Sequence, residues 1–169
     1  TPALFEALNT NRVDIAIVRA PGADANITTR PLIQEEPMIV LPRHHPLAHR
    51  RILHLRDLAE EPFILFERPL SPVFYDTIIS ACQQAGFVPK LGQAAPQVVA
   101  TIPLVAAGMG VSVLPSYLRQ IHVGGAVFRP IKGPQPEASI AIASLSHDLP
   151  LAVVRFEETL RRICSEQLR

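Results

Sequence analysis

Apolar positions along the chain fall into short units that switch between two periods. Leu4, Phe5 and Leu8 recur at helical spacing behind Thr1-Pro2, where the Thr hydroxyl can take an orphan backbone N–H and proline has none to lose. A helix is therefore predicted from residue 2. Residues 13–18 form a β-branched run stopped by Pro21-Gly22, which reads as a buried strand. Strands are predicted at 28–32 and 37–41, then a loop at 42–46 and a short helix at 52–59. The apolar run 63–66 is a strand ended by the proline-bearing turn 67–72. From 74 to 85, Phe74, Ile78, Ile79, Cys82 and Ala85 keep helical spacing, and Gly86 holds the C′ position that favours positive φ. A strand at 90–94 leads into a helix at 97–107 closed by Gly108, followed by strands at 111–114, 126–131 and 138–143 with a brief helix at 117–121. Residues 151–168 close the chain as an amphipathic helix with Val154, Leu160 and Ile163 inward. The alternation predicts an α/β fold with mostly parallel strands.

Composition narrows the function classes. The 169 residues suit one domain or two small lobes, and 16 Lys+Arg against 15 Asp+Glu leave a formal charge of +1. No run of clustered Lys/Arg is present, so bulk electrostatic binding of nucleic acid is not expected. Two distant cysteines, Cys82 and Cys164, make neither a disulfide framework nor a CxxC site, and a reducing, cytoplasmic compartment is the natural reading. The longest apolar stretch, 98–115, is broken by Pro103, Gly108 and Gly110, so no membrane span is predicted. The opening at Thr1-Pro2 has no Met, basic n-region or cleavage site, and the chain is read as a fragment.

Catalytic signatures fail on geometry. Gly108-Met109-Gly110-Val111-Ser112-Val113 begins like a dinucleotide loop, but its third glycine is absent and it follows a helix and precedes a strand, the reverse of what a pyrophosphate needs. A helix cap and tight turn explain it better. Ser112 lacks the flanking glycines of a nucleophile elbow. His44, His45, His49 and His54 are split by Pro46 and have no Cys or carboxylate at ligand spacing, so a solvated loop is expected rather than a metal site. Glu35-Glu36 and Glu60-Glu61 diverge as neighbours do, and Glu157-Glu158 and Arg161-Arg162 read as solvated helix positions. No catalytic residue, metal ligand or cofactor is predicted. The remaining candidates are turns before helix starts: Thr1-Pro2, Ser71-Pro72-Val73-Phe74 and Ala95-Pro96-Gln97. In an open α/β sheet such starts lie where small ligands bind, although they are also ordinary N-cap signals.

Four stretches together carry a family resemblance: Asn11-Arg12-Val13-Asp14-Ile15-Ala16-Ile17-Val18-Arg19, Pro42-Arg43-His44-His45-Pro46-Leu47-Ala48, Leu55-Arg56-Asp57-Leu58, and residues 104–115 with Ala106-Ala107-Gly108-Met109-Gly110-Val111. In order and spacing the chain resembles the effector-binding region of LysR-type transcriptional regulators, those of aromatic-acid catabolism above all. The resemblance implies an α/β fold of two Rossmann-like lobes, of the type II periplasmic-binding-protein kind. Lobe I would be residues 1–61 and 137–169, and lobe II residues 62–136. It implies a small organic acid, aromatic or dicarboxylic, bound between the lobes, with Thr1, Ser71, Pro72, Val73 and Phe74 as contacts and Gln97, Val98 and Ile140 as weaker ones. It also implies a first strand, helix and strand of lobe I ahead of Thr1, a winged helix-turn-helix through which alone DNA would be bound, and assembly as a homodimer or homotetramer. No membrane partner follows from it. Two other classes stay open: an exported-type solute-binding protein, and a small α/β enzyme using Ser71, Thr1 and the histidine loop, which would need a base within reach of its substrate.

Overall fold

The computed structural model describes residues 1–20, 24–146 and 149–167. In chain order the elements are α1 (Pro2–Asn9), β1 (Ala16–Ala20), β2 (Ile27–Glu35), β3 (Pro37–Pro42), β4 (Pro62–Phe63), α2 (Pro72–Gln84), β5 (Lys90–Leu91), α3 (Thr101–Ala106), β6 (Ser112–Pro115), β7 (Ala126–Pro130), β8 (Ala138–Leu145) and α4 (Leu151–Gln167). Single turns of 3-10 helix fill Pro46–His49, Leu55–Leu58, Arg68–Leu70 and Ser116–Gln120. The expected helix at 52–59 is only the one turn at Leu55–Leu58. The chain divides into two compact units, Thr1–Gln34 with Ser139–Arg169 (unit 1) and Glu35–Ala138 (unit 2). The family resemblance implies that lobe I runs to residue 61. Instead β3 pairs with β6 and β7, so the chain has entered unit 2 by Glu35. The return falls at Ala138/Ser139, against the 136/137 expected.

Unit 2 is built on strands buried on both faces. Ile39 of β3 stands opposite Val113 of β6 on one side and Arg129 of β7 on the other. Neighbouring side chains then point opposite ways. Ile39, Leu41, Phe63, Leu65 and Val113 enter a core beneath α2, with Phe74, Ile78, Ala81 and Cys82. Val40, Ile64 and Leu114 enter a second core with Ile102 and Val105 of α3. Helices covering both faces explain why these strands read as unbroken apolar runs.

The expected predominance of parallel strands is corrected. The ladders β1 with β8, β3 with β6, and β3 with β7 are antiparallel. Parallel pairing joins β4 with β5 and occurs at single bridges such as Phe63 with Val111 and Phe66 with Ala95. An apolar run reports burial, which does not fix strand direction.

Helix ends follow backbone chemistry. At the end of α2 the Phe87 N–H donates to the Cys82 carbonyl (3.1 Å) and the Gly86 N–H to the Gln83 carbonyl (3.0 Å), with Gly86 at φ +90. Around Gly108 (φ +80) the same pair of bonds closes α3, from Met109 to Leu104 (3.2 Å) and from Gly108 to Val105 (2.8 Å). The predicted helix at 97–107 is shorter than expected, because Pro103 has no N–H to give the Val99 carbonyl. Residues 98–100 form a turn instead, and α3 begins at Thr101.

In unit 1 the sheet order is β1, β8, β2. Ala16 and Val18 are buried with Leu8 of α1, Ala141 and Ala143, whereas Ile17 is exposed, so β1 is covered on one face rather than wholly buried. Of α4, Val153 is buried, while Val154 and Ile163 are exposed, against the expected inward stripe. A charged network ties α4 to the sheet. Arg30 Nε donates to both Glu157 carboxylate oxygens (2.9 Å each) and its Nη2 to the Ser144 hydroxyl (2.7 Å). Arg161 donates to Glu157 (3.0 and 3.1 Å) and to the Pro31 carbonyl (2.9 Å). Burial pushes the Glu157 carboxyl upward, but the two guanidinium groups outweigh it and hold it below the usual range. The Pro21-Gly22 stop signal and Leu168 lie outside the described residues, and no described helix is long and apolar enough to cross a membrane.

Two outcomes test this packing. A Cβ built on Gly110 (φ +154) would stand 2.3 Å from the Pro62 carbonyl oxygen. Gly110→Ala is expected to lower unfolding free energy by about 3 kcal/mol in a urea titration, with Gly124→Ala, where a Cβ meets nothing, near neutral. Glu157→Gln is expected to cost about 1–3 kcal/mol at neutral pH. Because the folded-state pKa is depressed, that difference is present above the unfolded value and closes as pH falls below about 4.5, which thermal unfolding against pH would reveal.

Candidate functional site

Strand β4 and the buried residues Ile64, Leu65 and Phe66 that follow it deliver the chain to the start of α2, so the strand expected at 63–66 is shorter than predicted. Glu67 N–H donates to the Ala95 carbonyl (3.3 Å), and the turn at Arg68–Leu70 is closed by Leu70 N–H to Glu67 (3.0 Å) and Ser71 N–H to Arg68 (3.2 Å). Ser71 is the N-cap and Pro72 the first helical residue, and Tyr75 N–H donates to the Ser71 carbonyl (3.0 Å). The Ser71 side chain makes no capping hydrogen bond. Its hydroxyl is half-buried and uncommitted at the start of a 13-residue helix, where first-turn N–H groups lack intrahelical partners and the dipole is positive. Pro72 and Val73 are half-buried beside it, while Phe74 is buried. The Phe74 ring stacks on Phe66 (centroids 5.8 Å, planes 5° apart), and Tyr75 meets Phe66 edge-on (6.1 Å, 80°). Phe74 thus anchors the turn rather than presenting its ring.

The arginine of this turn, Arg68, is already paired. Arg68 donates to both oxygens of Asp76 (2.8 and 2.6 Å), which raises the Arg68 pKa and lowers that of Asp76. Anion attraction at this turn therefore falls to the backbone.

The bridge between Phe66 and Ala95 brings the next turn alongside. Gln97 is exposed there and Val98 is half-buried, packed against the core that holds Phe74. Gln97 does not begin an α-helix, contrary to expectation. Its carbonyl accepts from Ala100 N–H (3.1 Å) within the turn ahead of α3. Thr101, which the sequence reading passed over, has a fully buried hydroxyl without a hydrogen-bond partner. In unit 1, Thr1 is the N-cap of α1, and its Oγ1 accepts from Arg19 N–H (3.4 Å). Ile140, half-buried in β8, is the register partner of Arg19, so Thr1 and Ile140 lie on either side of one residue.

Two of the four loop histidines sit in local hydrogen bonds, and His44 and His49 are exposed. His45 Nδ1 accepts from Leu47 N–H (3.1 Å) while Nε2 meets Glu61 (3.2 Å), and His54 N–H donates to Asp57 (2.9 Å). Among the described residues no group of three or more His, Cys, Asp or Glu could hold a metal ion. Cys82 is fully buried, and burial pushes its thiol up to about 11, away from the lowered range of an activated thiol.

Comparison with known proteins agrees with the fold. The sequence pattern of the LysR substrate binding domain matches residues 1–165. The HTH-type transcriptional regulator TtuA of Agrobacterium vitis is 37% identical over 129 residues, covering 76% of this chain and 42% of that protein. The transcriptional dual regulator GltC of Bacillus subtilis (strain 168) is 34% identical over 141 residues, covering 82% and 46%. The BenM effector binding domain, solved with its effector benzoate, superposes with a TM-score of 0.89 at 27% identity, covering 99% of this chain and 76% of that one. The chain spans less than half the length of these two regulators. The fold is the type II periplasmic-binding-protein-like α/β fold that such effector domains share. The chain belongs to the LysR family, as a LysR substrate-binding domain.

Proposed function

We propose that this domain senses a small organic acid, aromatic or dicarboxylic, whose carboxylate is taken at the start of α2 by Ser71 and first-turn N–H groups. The observation that carries the reading is the uncommitted Ser71 hydroxyl at an uncapped 13-residue helix. A carboxylate there gains about 0.3–1 kcal/mol from the helix dipole at an exposed site and up to about 2 when partly buried, before direct hydrogen bonds are counted. The apolar body lies against Pro72, Val73 and Val98, with Gln97 at the rim and Phe74 holding the turn. On unit 1 the proposed contacts are Thr1 and Ile140. The benzoate bound by BenM, at 27% identity, supports an aromatic acid.

The domain is a sensor and not an enzyme in this reading. In the whole regulator, proposed to be a cytoplasmic homodimer or homotetramer that meets operator DNA through a winged helix-turn-helix, the acid works by binding one conformational state more tightly than another. About 1.4 kcal/mol of such difference shifts the equilibrium tenfold.

Thermal unfolding against benzoate, salicylate, succinate and glutarate tests the reading. An acid at roughly hundredfold excess over Kd is expected to add about 2.7 kcal/mol of apparent stability, and no stabilisation by any acid would overturn it. Ser71→Ala is expected to weaken the effective acid roughly ten- to hundredfold, because one hydrogen bond to a charged group is lost. Without ligand the same variant should lie within about 0.5 kcal/mol of the parent, since no cap bond exists to lose. Phe74→Ala should instead cost about 3–5 kcal/mol with or without ligand, as expected for an aromatic core anchor.

A further inference from the structure

Unit 2 carries two adjoining surface grooves, of about 660 and 460 Å³, that share Arg43, Val127 and Arg129. The larger adds Arg119 and His122, and the smaller adds His44, His45 and His49. No Asp or Glu lines either groove. Among the described residues the only carboxylate reaching a lining side chain is Glu61, on His45. Three other acids of this unit are paired away from the grooves, Asp57 with Arg50, Glu60 with Lys90 and Asp76 with Arg68.

The fold gathers these arginines from separate stretches. Arg43 follows β3 and is held by its N–H on the Gly125 carbonyl (2.7 Å), just ahead of β7. Arg119 comes from the 3-10 turn after β6, and Arg129 from β7 itself. Arg129 is half-buried and fixed in place, with Nε and Nη2 donating to the Ala48 carbonyl (3.1 and 2.6 Å) and Nη1 to the Phe128 carbonyl (2.8 Å). Carbonyl dipoles orient the guanidinium without neutralising it, and two of its five N–H donors remain. A preset positive charge flanked by two exposed arginines suits an anion.

One small carboxylate would neutralise one of these charges and fill a fraction of the two grooves. A polyanion with regularly repeated charge fits the arrangement better, and duplex DNA carries one charge per roughly 1.7 Å of its axis. Membership of a family whose relatives are HTH-type regulators puts a duplex on the same polypeptide, where tethering makes a weak contact effective. We propose that this face of unit 2 is an additional, sequence-independent contact for the phosphate backbone of duplex DNA, made by Arg43, Arg119 and Arg129. The proposal rests on family membership and not on the acid-sensing reading.

Fluorescence anisotropy of the 169-residue chain with a labelled duplex of arbitrary sequence tests it. Two or three neutralised phosphates predict that affinity falls about ten- to fortyfold between about 50 and about 200 mM salt, equally for unrelated sequences. Arg43→Glu with Arg119→Glu should lower affinity at least about tenfold at the lower salt and flatten the salt dependence. Both side chains are exposed and outside any ion pair among the described residues, so an unchanged melting temperature checks that the double variant is folded. No binding at about 50 mM salt, or a double variant that binds as the parent does, overturns the proposal. Equal binding of polyglutamate would also overturn it, by pointing to an acidic protein partner. The double variant should keep the acid-induced shift in melting temperature, which separates failure here from failure of the sensing site.

Discussion

Burial of the central strands of unit 2 on both faces is the constraint from which the rest of that unit follows. With Ile39 and Leu41 on one side and Val40 on the other, a strand of this kind is stable only between two helical layers. Covering both faces requires α2 and α3 to leave strand ends and return across the sheet, which sets where their N-termini stand. Polar groups inside such a layer must be satisfied locally. The Ser112 hydroxyl donates to the Ile64 carbonyl at 2.7 Å, joining β6 to the strand beside it. Gly110 serves the same junction by letting Val111 N–H reach the Pro62 carbonyl at 2.8 Å, an approach that any Cβ would block.

The candidate site is a product of that layering. Residues 62–66 and 90–95 run parallel side by side, joined at Phe66 and Ala95, so the turns that follow them, one into α2 and one toward α3, emerge together. Small ligands bind at such strand ends because helix N-termini present unpaired N–H groups there. The pairing of Arg68 with Asp76 removes the adjacent formal charge and leaves dipoles as the source of attraction. A domain that recognises a carboxylate in this way needs no buried cation and escapes its desolvation cost. Phe66 and Phe74, stacked beneath the turn, hold it in place.

Unit 1 is held by a different balance. Its long helix α4 buries only Val153 fully among the described residues, so apolar area alone anchors it weakly. Arg30, Glu157 and Arg161 supply directional bonds between β2, β8 and α4, with Glu157 accepting from two guanidinium groups at 13% side-chain exposure. Such a network fixes position through geometry, and it weakens with acid in a way that apolar packing does not.

Local chemistry was legible along the chain. The Ser71-Pro72 helix start, the Gly86 and Gly108 caps, the apolar run at 63–66 and the motifs of residues 104–115 each depend on neighbours within a few positions, so spacing and residue type sufficed to find them. The candidate turn at Ser71 was found by that route, and so was the structural role of the Gly108-Met109-Gly110 segment. Strand direction, the unit boundary at Gln34/Glu35, the short α3 and the exposure of Val154 and Ile163 were not found so, because partners tens of residues away set them. The buried Thr101 hydroxyl carries no local signal at all. Charge is the clearest case: a near-neutral chain without a basic run still assembles Arg43, Arg119 and Arg129 on one face, since folding pairs several acids elsewhere and sets residues from two connections and a strand around one groove. Composition counts charges over the whole chain, whereas a partner meets only those on one surface.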